Sequence, residues 1–457
     1  MNGKIFLLGL IAFLSLAVVV AVTFHDEPGL LGLFLLFGLL LFAPVLLTSA
    51  QGGINIAESI YFFLPLYAYL YLLKPLARVL QGELFIFGAE NLEWAVCVSI
   101  FGLLLFYVGY YGRLGFIIAR RIPLMKEEVS PSRLRTLAWI LIAIGATGLG
   151  IYMGHSGGWR EFWSKPHGYG GKVEGLTAYV YQLPELMVVG FFLIVHDAIA
   201  HGRLNFPVIL RIAAASLGGC IVYAILWTRR TMISWEMITI ATLLFLKREG
   251  RVGLTKIALA WGALFIAISL ALAYRPYLHL EAGPEEDEIV DIKGTALKTL
   301  GNTGDEFDSF LAILSLYPDS LDYDHFSIYG RIFIHPIPRI VWPDKPPLFV
   351  SSWDDFLFQS GIDEGASEGL LGDFYIQWGL FGIAIGMFFV GVIWRTLFEY
   401  LRRAPRFGFV QLVYAIAVGN TPSLIMQSGV SAFWKWFPFI IPFTVIAYRL
   451  ARKSPLK

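Results

Sequence analysis

The chain has 457 residues, of which 57% are hydrophobic and 15% charged, with a mean hydropathy of +0.67 and a formal net charge of +1. A soluble domain is roughly half apolar and a quarter charged, so water is excluded as the main solvent, and an even mixture of signs excludes a nucleic-acid partner, which needs a dense basic face. The only cysteines, Cys97 and Cys220, each lie inside an apolar run, which argues against a disulfide framework and a cysteine-based metal site.

In chain order, Lys4 precedes an apolar stretch from Ile5 to about Phe24. No small-residue cleavage site follows and a second apolar run starts at Gly29, so the stretch reads as a retained helix rather than a secretory signal. A window of about twenty residues, the length of a helix that crosses a hydrocarbon core, then finds apolar segments near 5–24, 29–48, 56–73, 93–111, 136–154, 176–196, 206–226, 231–247, 255–274, 373–394, 409–426 and 432–450. The expected fold is therefore an all-α polytopic membrane protein of about 12 transmembrane helices. Residues 1–274 carry helices one to nine, 275–372 form a large loop and 373–457 carry helices ten to twelve, as one functional domain.

Lys and Arg in short loops stay on the cytoplasmic side. The clusters Arg113 to Arg135, Lys247 to Arg251, Arg402 to Arg406 and Arg452 to Lys457 all fall on one face under this alternation, so both termini are expected in the cytoplasm and the large loop outside. A loop of that length is normally functional or structured in its own right. Its acidic run Glu285-Glu286-Asp287-Glu288 reads as solvated, and Phe307 to Leu316 has the apolar spacing of an amphipathic helix that could lie on the membrane surface.

Basic groups on the expected outer face come next: Arg160 in a Gly- and Trp-rich loop, the adjacent Arg229 and Arg230 in a short turn, and Arg339 and Lys345 in the large loop. A guanidinium fork suits a pyrophosphate because it makes two parallel hydrogen bonds to phosphate oxygens. Each could equally reach lipid phosphate or pair with a loop acid; for the adjacent pair the phosphate reading is preferred. The run His335-Pro336-Ile337-Pro338-Arg339-Ile340-Val341-Trp342-Pro343-Asp344-Lys345-Pro346-Pro347 should be rigid, since each proline fixes its own backbone angle and extends the residue before it. It either fixes Arg339 and Lys345 for binding or is a structural turn. In Ser367-Glu368-Gly369 and Gly372-Asp373, acids stand where a helix enters the membrane, available to bind sugar hydroxyls, to act as a base, or, for Asp373, simply to cap the helix.

Glu185, Arg211, Glu236 and Lys435 are ionisable at membrane depth, where such groups are costly. Glu236, one to two turns from Arg229 and Arg230, reads best as their counter-ion. Asp322-Tyr323-Asp324 spells a metal and nucleotide-sugar pattern, but three residues are a weak signal, and the eight His residues lack ligand spacing, so no metal and no cofactor are expected.

The order of three features resembles Wzy-type oligosaccharide repeat-unit polymerases, which include O-antigen and enterobacterial common antigen polymerases. These are Thr228-Arg229-Arg230-Thr231 opening a helix, Ile337-Pro338-Arg339 with Trp342-Pro343-Asp344-Lys345-Pro346, and Ser367-Glu368-Gly369 leading to Gly372 and Gly379. Arg160 with Gly171 is similar to an Arg-to-Gly spacing in outer loops of some relatives, whereas the Arg that some of them place in the last outer turn is replaced by Met426-Gln427-Ser428-Gly429. The resemblance implies a GT-C-like architecture in the bacterial inner membrane, with an active site facing the periplasm. It implies inverting, metal-independent glycosyl transfer between an undecaprenyl-pyrophosphate-linked oligosaccharide donor and acceptor. Arg160, Arg229, Arg230, Arg339 and Lys345 would hold pyrophosphate, and Glu368, His335 or Asp373 would take the acceptor proton. A chain-length regulator and a flippase would be partners alongside membrane lipid. The alternatives are a lipid-linked glycan ligase and a secondary transporter, the latter expected to show repeated halves with helices broken at the midplane.

Overall fold

In a hydrocarbon environment every backbone N–H and C=O must be satisfied within the protein, which leaves helices as the available form for apolar segments. The computed structural model describes residues 28–50, 58–81, 91–124, 129–155, 183–201, 205–227, 230–247, 306–331, 337, 341–342, 344, 352–353, 356, 367–405, 408–426 and 429–452. Among them the chain is almost entirely helical, with a single isolated bridge between Val129 and Arg452 as the one β feature. The first helices are α1 (Pro28–Ala50), α2 (Ile60–Ala68), a π turn (Tyr69–Leu73), α3 (Lys74–Gln81), α4 (Leu92–Tyr111), α5 (Arg113–Arg121) and α6 (Pro131–His155). They are followed by α7 (Glu185–His201), α8 (Phe206–Trp227), α9 (Arg230–Lys247), α10 (Glu306–Leu316) and α11 (Ser327–Arg331). The last are α12 (Gly369–Arg403), α13 (Phe409–Gly419), α14 (Thr421–Met426) and α15 (Gly429–Leu450).

Five helical stretches among the described residues are long and apolar enough to cross a membrane: Gly29–Leu47, Leu92–Tyr111, Pro131–His155, Gly369–Arg403 and Phe409–Met426. The expected segments 5–24 and 255–274 lie outside the described residues. Where helices meet expectation, their ends differ for local reasons. Of the segment expected over 176–196, residues 176–182 lie outside the described residues, and α7 starts at Glu185 behind Leu183-Pro184, whose carbonyls accept the N–H groups of Leu186 and Met187. The segment expected over 56–73 runs on to Gln81 through the π turn, in which the Lys74 N–H donates to the Tyr69 carbonyl five residues back. Pro75 explains that turn. Its ring would collide with the Tyr71 carbonyl in a regular helix and it has no N–H to offer, so the chain widens by one residue just upstream.

The bundle is organised on α4 and α12, whose backbones touch through glycines. A Cβ on Gly109 would stand 2.0 Å from the Phe388 carbonyl oxygen, and one on Gly391 would stand 2.2 Å from that of Phe106. Small residues are what lets membrane helices approach so closely. Around this seam packs an aromatic core that includes Phe63 stacked on Phe106, with ring centroids 4.1 Å apart. A second core gathers residues of α6, α7, α8, α9, α13 and α15.

The two ends of α4 differ in chemistry. Beyond Tyr111 lies α5, whose Ala119 carbonyl accepts the Arg403 guanidinium, and just after it the Pro123 carbonyl accepts the Tyr400 hydroxyl at 2.9 Å. That end gathers Arg113, Arg120, Arg121, Arg402 and Arg403. At the opposite end Asn91 donates to the Ser315 hydroxyl of α10 at 2.5 Å. Twenty helical residues separate the two, about 30 Å at 1.5 Å per residue. The described part of the large loop therefore packs on the end remote from the arginines.

One expectation is corrected here. The helix expected from Phe307 is present, but it does not lie on a surface: every residue from Phe307 to Leu314 is buried. The acids in its first turn, Glu306 and Asp308, are paired inside the bundle. Lys74 Nζ donates to Glu306 Oε2 at 2.8 Å, and the Arg78 guanidinium binds the Asp308 carboxylate. Paired in this way, α10 enters the protein as a plug with a neutralised start.

Candidate functional site

The plug packs on the first part of α12, which is not one straight helix. Trp378 (φ −169°, ψ 42°) and Gly379 (φ 56°, ψ −141°) interrupt it. Only glycine takes the second of these conformations without strain. The chain folds back at the break: a Cβ on Gly382 would lie 2.1 Å from the Phe374 carbonyl, and one on Gly386 would lie 2.4 Å from the Phe374 ring. In a straight helix residues 374 and 382 would be about 12 Å apart along the axis. Residues 369–377 thus form a buried half-helix packed against the long span that follows.

The half-helix starts deep. Gly369, with φ +65°, lies against the Ile425 carbonyl of α14 and the Tyr71 hydroxyl of the π turn, and Leu371 lies level with Gly102, midway along α4. The Leu371 N–H, which has no partner within the helix at that position, donates to the Tyr71 oxygen at 3.0 Å. At the other end a loop covers the last carbonyls. Asp324 N–H donates to the Ile376 carbonyl at 3.0 Å and His325 N–H to that of Gln377 at 2.9 Å. In this loop His325 and Phe326 both adopt positive φ, 49° and 60°, a strained state for non-glycine residues that clusters at functional places.

Polar groups converge on this half-helix. Glu368 precedes it, 9% exposed, and makes no side-chain cap. Asp373 is its fifth residue, 3% exposed, and Oδ2 accepts the Tyr329 hydroxyl at 2.9 Å. Asp373 therefore does not cap the helix. Burial, followed by the nearby Asp373, Glu368 and Asp324 carboxylates, holds the Tyr329 phenol well above its usual range, so it remains a proton donor throughout the physiological range. One turn beyond Asp373, on the same face by the four-residue spacing, stands Gln377. It is 0% exposed and neither of its amide atoms has a hydrogen-bond partner. Around the end of the half-helix is a run of rings: Tyr317 stacked on Tyr323 with centroids 5.9 Å apart, then Tyr323 against His325, and His325 and Phe326 against Trp378.

Of the sequence-derived candidates, Glu368 and Asp373 come together here. His335, Arg160, Arg229, Arg339 and Lys345 lie outside the described residues, and Arg230 is described only as the first residue of α9. Glu185 and Glu236 are buried, the latter with its carboxylate where a Cβ on Gly219 would be 2.1 Å from Oε1, while Arg211 is exposed. Asp324 has a structural use, accepting the Ser352 N–H at 3.3 Å. Among the described residues no group of three or more His, Cys, Asp or Glu is arranged to hold a metal ion. Sequence reasoning missed Tyr71, Lys74, Arg78, Tyr329 and Gln377. Lys74 and Arg78 carried a signal, cations at the edge of an apolar segment; Tyr329 carried none. The arrangement can neutralise or orient hydroxyl groups and accept a proton at a carboxylate. No family model matches the chain, and no curated protein and no solved structure resembles it significantly.

Proposed function

We propose that this protein is an inverting, metal-independent glycosyltransferase that polymerises undecaprenyl-pyrophosphate-linked oligosaccharide repeat units at the periplasmic face of the bacterial inner membrane. In this reading the chain spans the membrane about 12 times in a GT-C-like arrangement. The observation that carries it is the buried Asp373 carboxylate, oriented by Tyr329 near Glu368 on a half-helix that starts midway along α4 and ends under the loop segment 324–326. An acceptor hydroxyl attacks the anomeric carbon of the donor glycan, the bond from that carbon to the pyrophosphate oxygen breaks, and the hydroxyl proton passes to a carboxylate. Undecaprenyl pyrophosphate leaves with the electron pair. Arg229, Arg230, Arg339, Arg160 and Lys345 would neutralise the charge that builds there, which is the larger electrostatic contribution. His335 remains a third candidate for the proton.

The test is reconstitution: purified protein in lipid discs with lipid-linked single repeats should yield a ladder of polymer, and Asp373→Asn should abolish it. Transfer only to a different acceptor would identify a ligase. A secondary transporter is supported by one specific observation, the interruption of α12 at Trp378-Gly379, since discontinuous helices are typical of transport sites. Substrate counterflow in sealed vesicles without polymer would establish that reading instead.

A further inference from the structure

Asp373 and Gln377 lie one helical turn apart on the same side of a half-helix that is buried along its whole length. Asp373 holds Tyr329 at 2.9 Å, whereas the Gln377 amide satisfies none of its hydrogen-bonding groups although it is fully enclosed. A buried primary amide offers two donors and an acceptor in one plane, and leaving them unmade is among the costlier states of a protein interior. An apolar side chain of the same size would fill this place better if packing were its only task. Directly beyond it the half-helix ends at Trp378, which is 46% exposed, and the rings of Tyr323, His325 and Phe326 border the same point. The segment over it, Asp324 to Phe326, holds the last two carbonyls of the half-helix by backbone hydrogen bonds and has positive φ at His325 and Phe326, a costly state that clusters at functional places.

A planar amide and a carboxylate side by side, bordered by aromatic faces, match one ligand chemistry above others. Neighbouring hydroxyls of a pyranose ring each donate and accept, and the ring's C–H face packs on an aromatic surface. A phosphate would be repelled by Asp373, and an acyl chain has no use for the amide. We infer that Asp373 and Gln377 form a saccharide-hydroxyl subsite, entered when the 324–326 cover moves aside, with Trp378 and Tyr323 as the flanking ring surfaces. This deepens the polymerase reading and rests on it for one assignment: the sugar held is the acceptor's terminal residue, whose attacking hydroxyl is thereby brought to the Asp373 carboxylate. Gln377 is a binding residue for that sugar.

The experiment uses the full chain in lipid discs, with Gln377→Leu as the main variant and Gln377→Glu as a second that keeps two hydrogen-bonding oxygens. Two probes are titrated by thermophoresis: undecaprenyl pyrophosphate alone, and the lipid-linked single repeat extracted from cells lacking this protein. Wild type should bind the sugar-bearing lipid at least about tenfold more tightly than the bare lipid, the size expected of a well-placed polar pair. Gln377→Leu should erase that difference while unfolding at the same or a higher temperature, a combination a packing role does not produce. In the polymer assay its KM for the acceptor should rise about tenfold with a smaller change in kcat, and Gln377→Glu should recover part of the loss. Equal binding of both lipids by wild type, or unchanged discrimination in Gln377→Leu, overturns the subsite. Sugar-dependent binding lost in Gln377→Leu, with no polymer made by wild type, keeps the subsite and rejects the polymerase instead.

Discussion

Replacing Lys74 with Ala should loosen α10 by a measurable amount. The side chains of Lys74 and Glu306 are 2% and 14% exposed, and their 2.8 Å contact ties residues 232 positions apart. Removing one partner of a buried ion pair leaves an uncompensated charge and costs about 3–5 kcal/mol. Since 1.4 kcal/mol is a factor of ten, opening of the plug should become at least on the order of 100-fold more frequent. A thiol reports it: Ser309 is 2% exposed, so Ser309→Cys, in a background without Cys97 and Cys220, should react with a maleimide only when α10 opens. Labelling should accelerate by on the order of 100-fold in Lys74→Ala and recover in part when Lys74→Glu is combined with Glu306→Lys. Arg402→Ala is the control, because Arg402 is 58% exposed where it meets Glu399. An exposed pair contributes about 0–1 kcal/mol, and its loss should leave labelling within about fivefold. Equal labelling of Lys74→Ala and the parent would refute the idea that these pairs hold the loop inside the bundle.

The remaining predictions are briefer. A periplasm-dependent reporter fused at about Gly301 should be active, and activity of a cytoplasmic reporter there would reverse the assigned sides. Alanine at Arg229, Arg230 or Arg339 should remove polymer with the protein still in the membrane, and lysine should rescue poorly because it lacks the two-pronged fork; full activity of all three would dissolve the pyrophosphate site. Polymer formation should survive EDTA, since guanidinium groups would do a metal's charge work, and loss restored by magnesium would contradict this. Because the folded Tyr329 phenol titrates well above 10 while the unfolded one titrates near 10, its contribution to stability is complete below about pH 10 and is lost as pH rises further. Melting temperature should accordingly fall less steeply above pH 10 in Tyr329→Phe than in wild type, and parallel slopes would show that the phenol is not so perturbed.

The helices were legible because twenty apolar residues in a row have few other forms, and Glu368 and Asp373 stood out as acids in apolar surroundings. What was not legible depended on distance in the chain. Asp308 reads as the polar face of a surface helix until its partner Arg78 is known, and nothing local announces that partner. The break at Trp378-Gly379 was hidden because Gly379, Gly382 and Gly386 look the same in sequence whether they admit a neighbouring helix or a reversal of their own. Tyr329 was one of 21 tyrosines, and only its bond to Asp373 distinguishes it. The capping alternative for Asp373 was reasonable while the helix was expected to start at that residue, and it failed because Gly369 starts it earlier.

The π turn before Pro75 has a consequence for how this chain tolerates change. One extra residue has been absorbed into the helix between Ile60 and Gln81, and each residue turns a helix by about 100°. Pro75→Ala would allow the turn to close into a regular helix. Everything from Lys74 to Gln81 would then rotate by roughly that angle, carrying Lys74 and Arg78 away from Glu306 and Asp308 together. That proline is thus the phase-setter for both ion pairs, and a deletion of one residue anywhere from Tyr69 to Leu73 would be compensated by losing it.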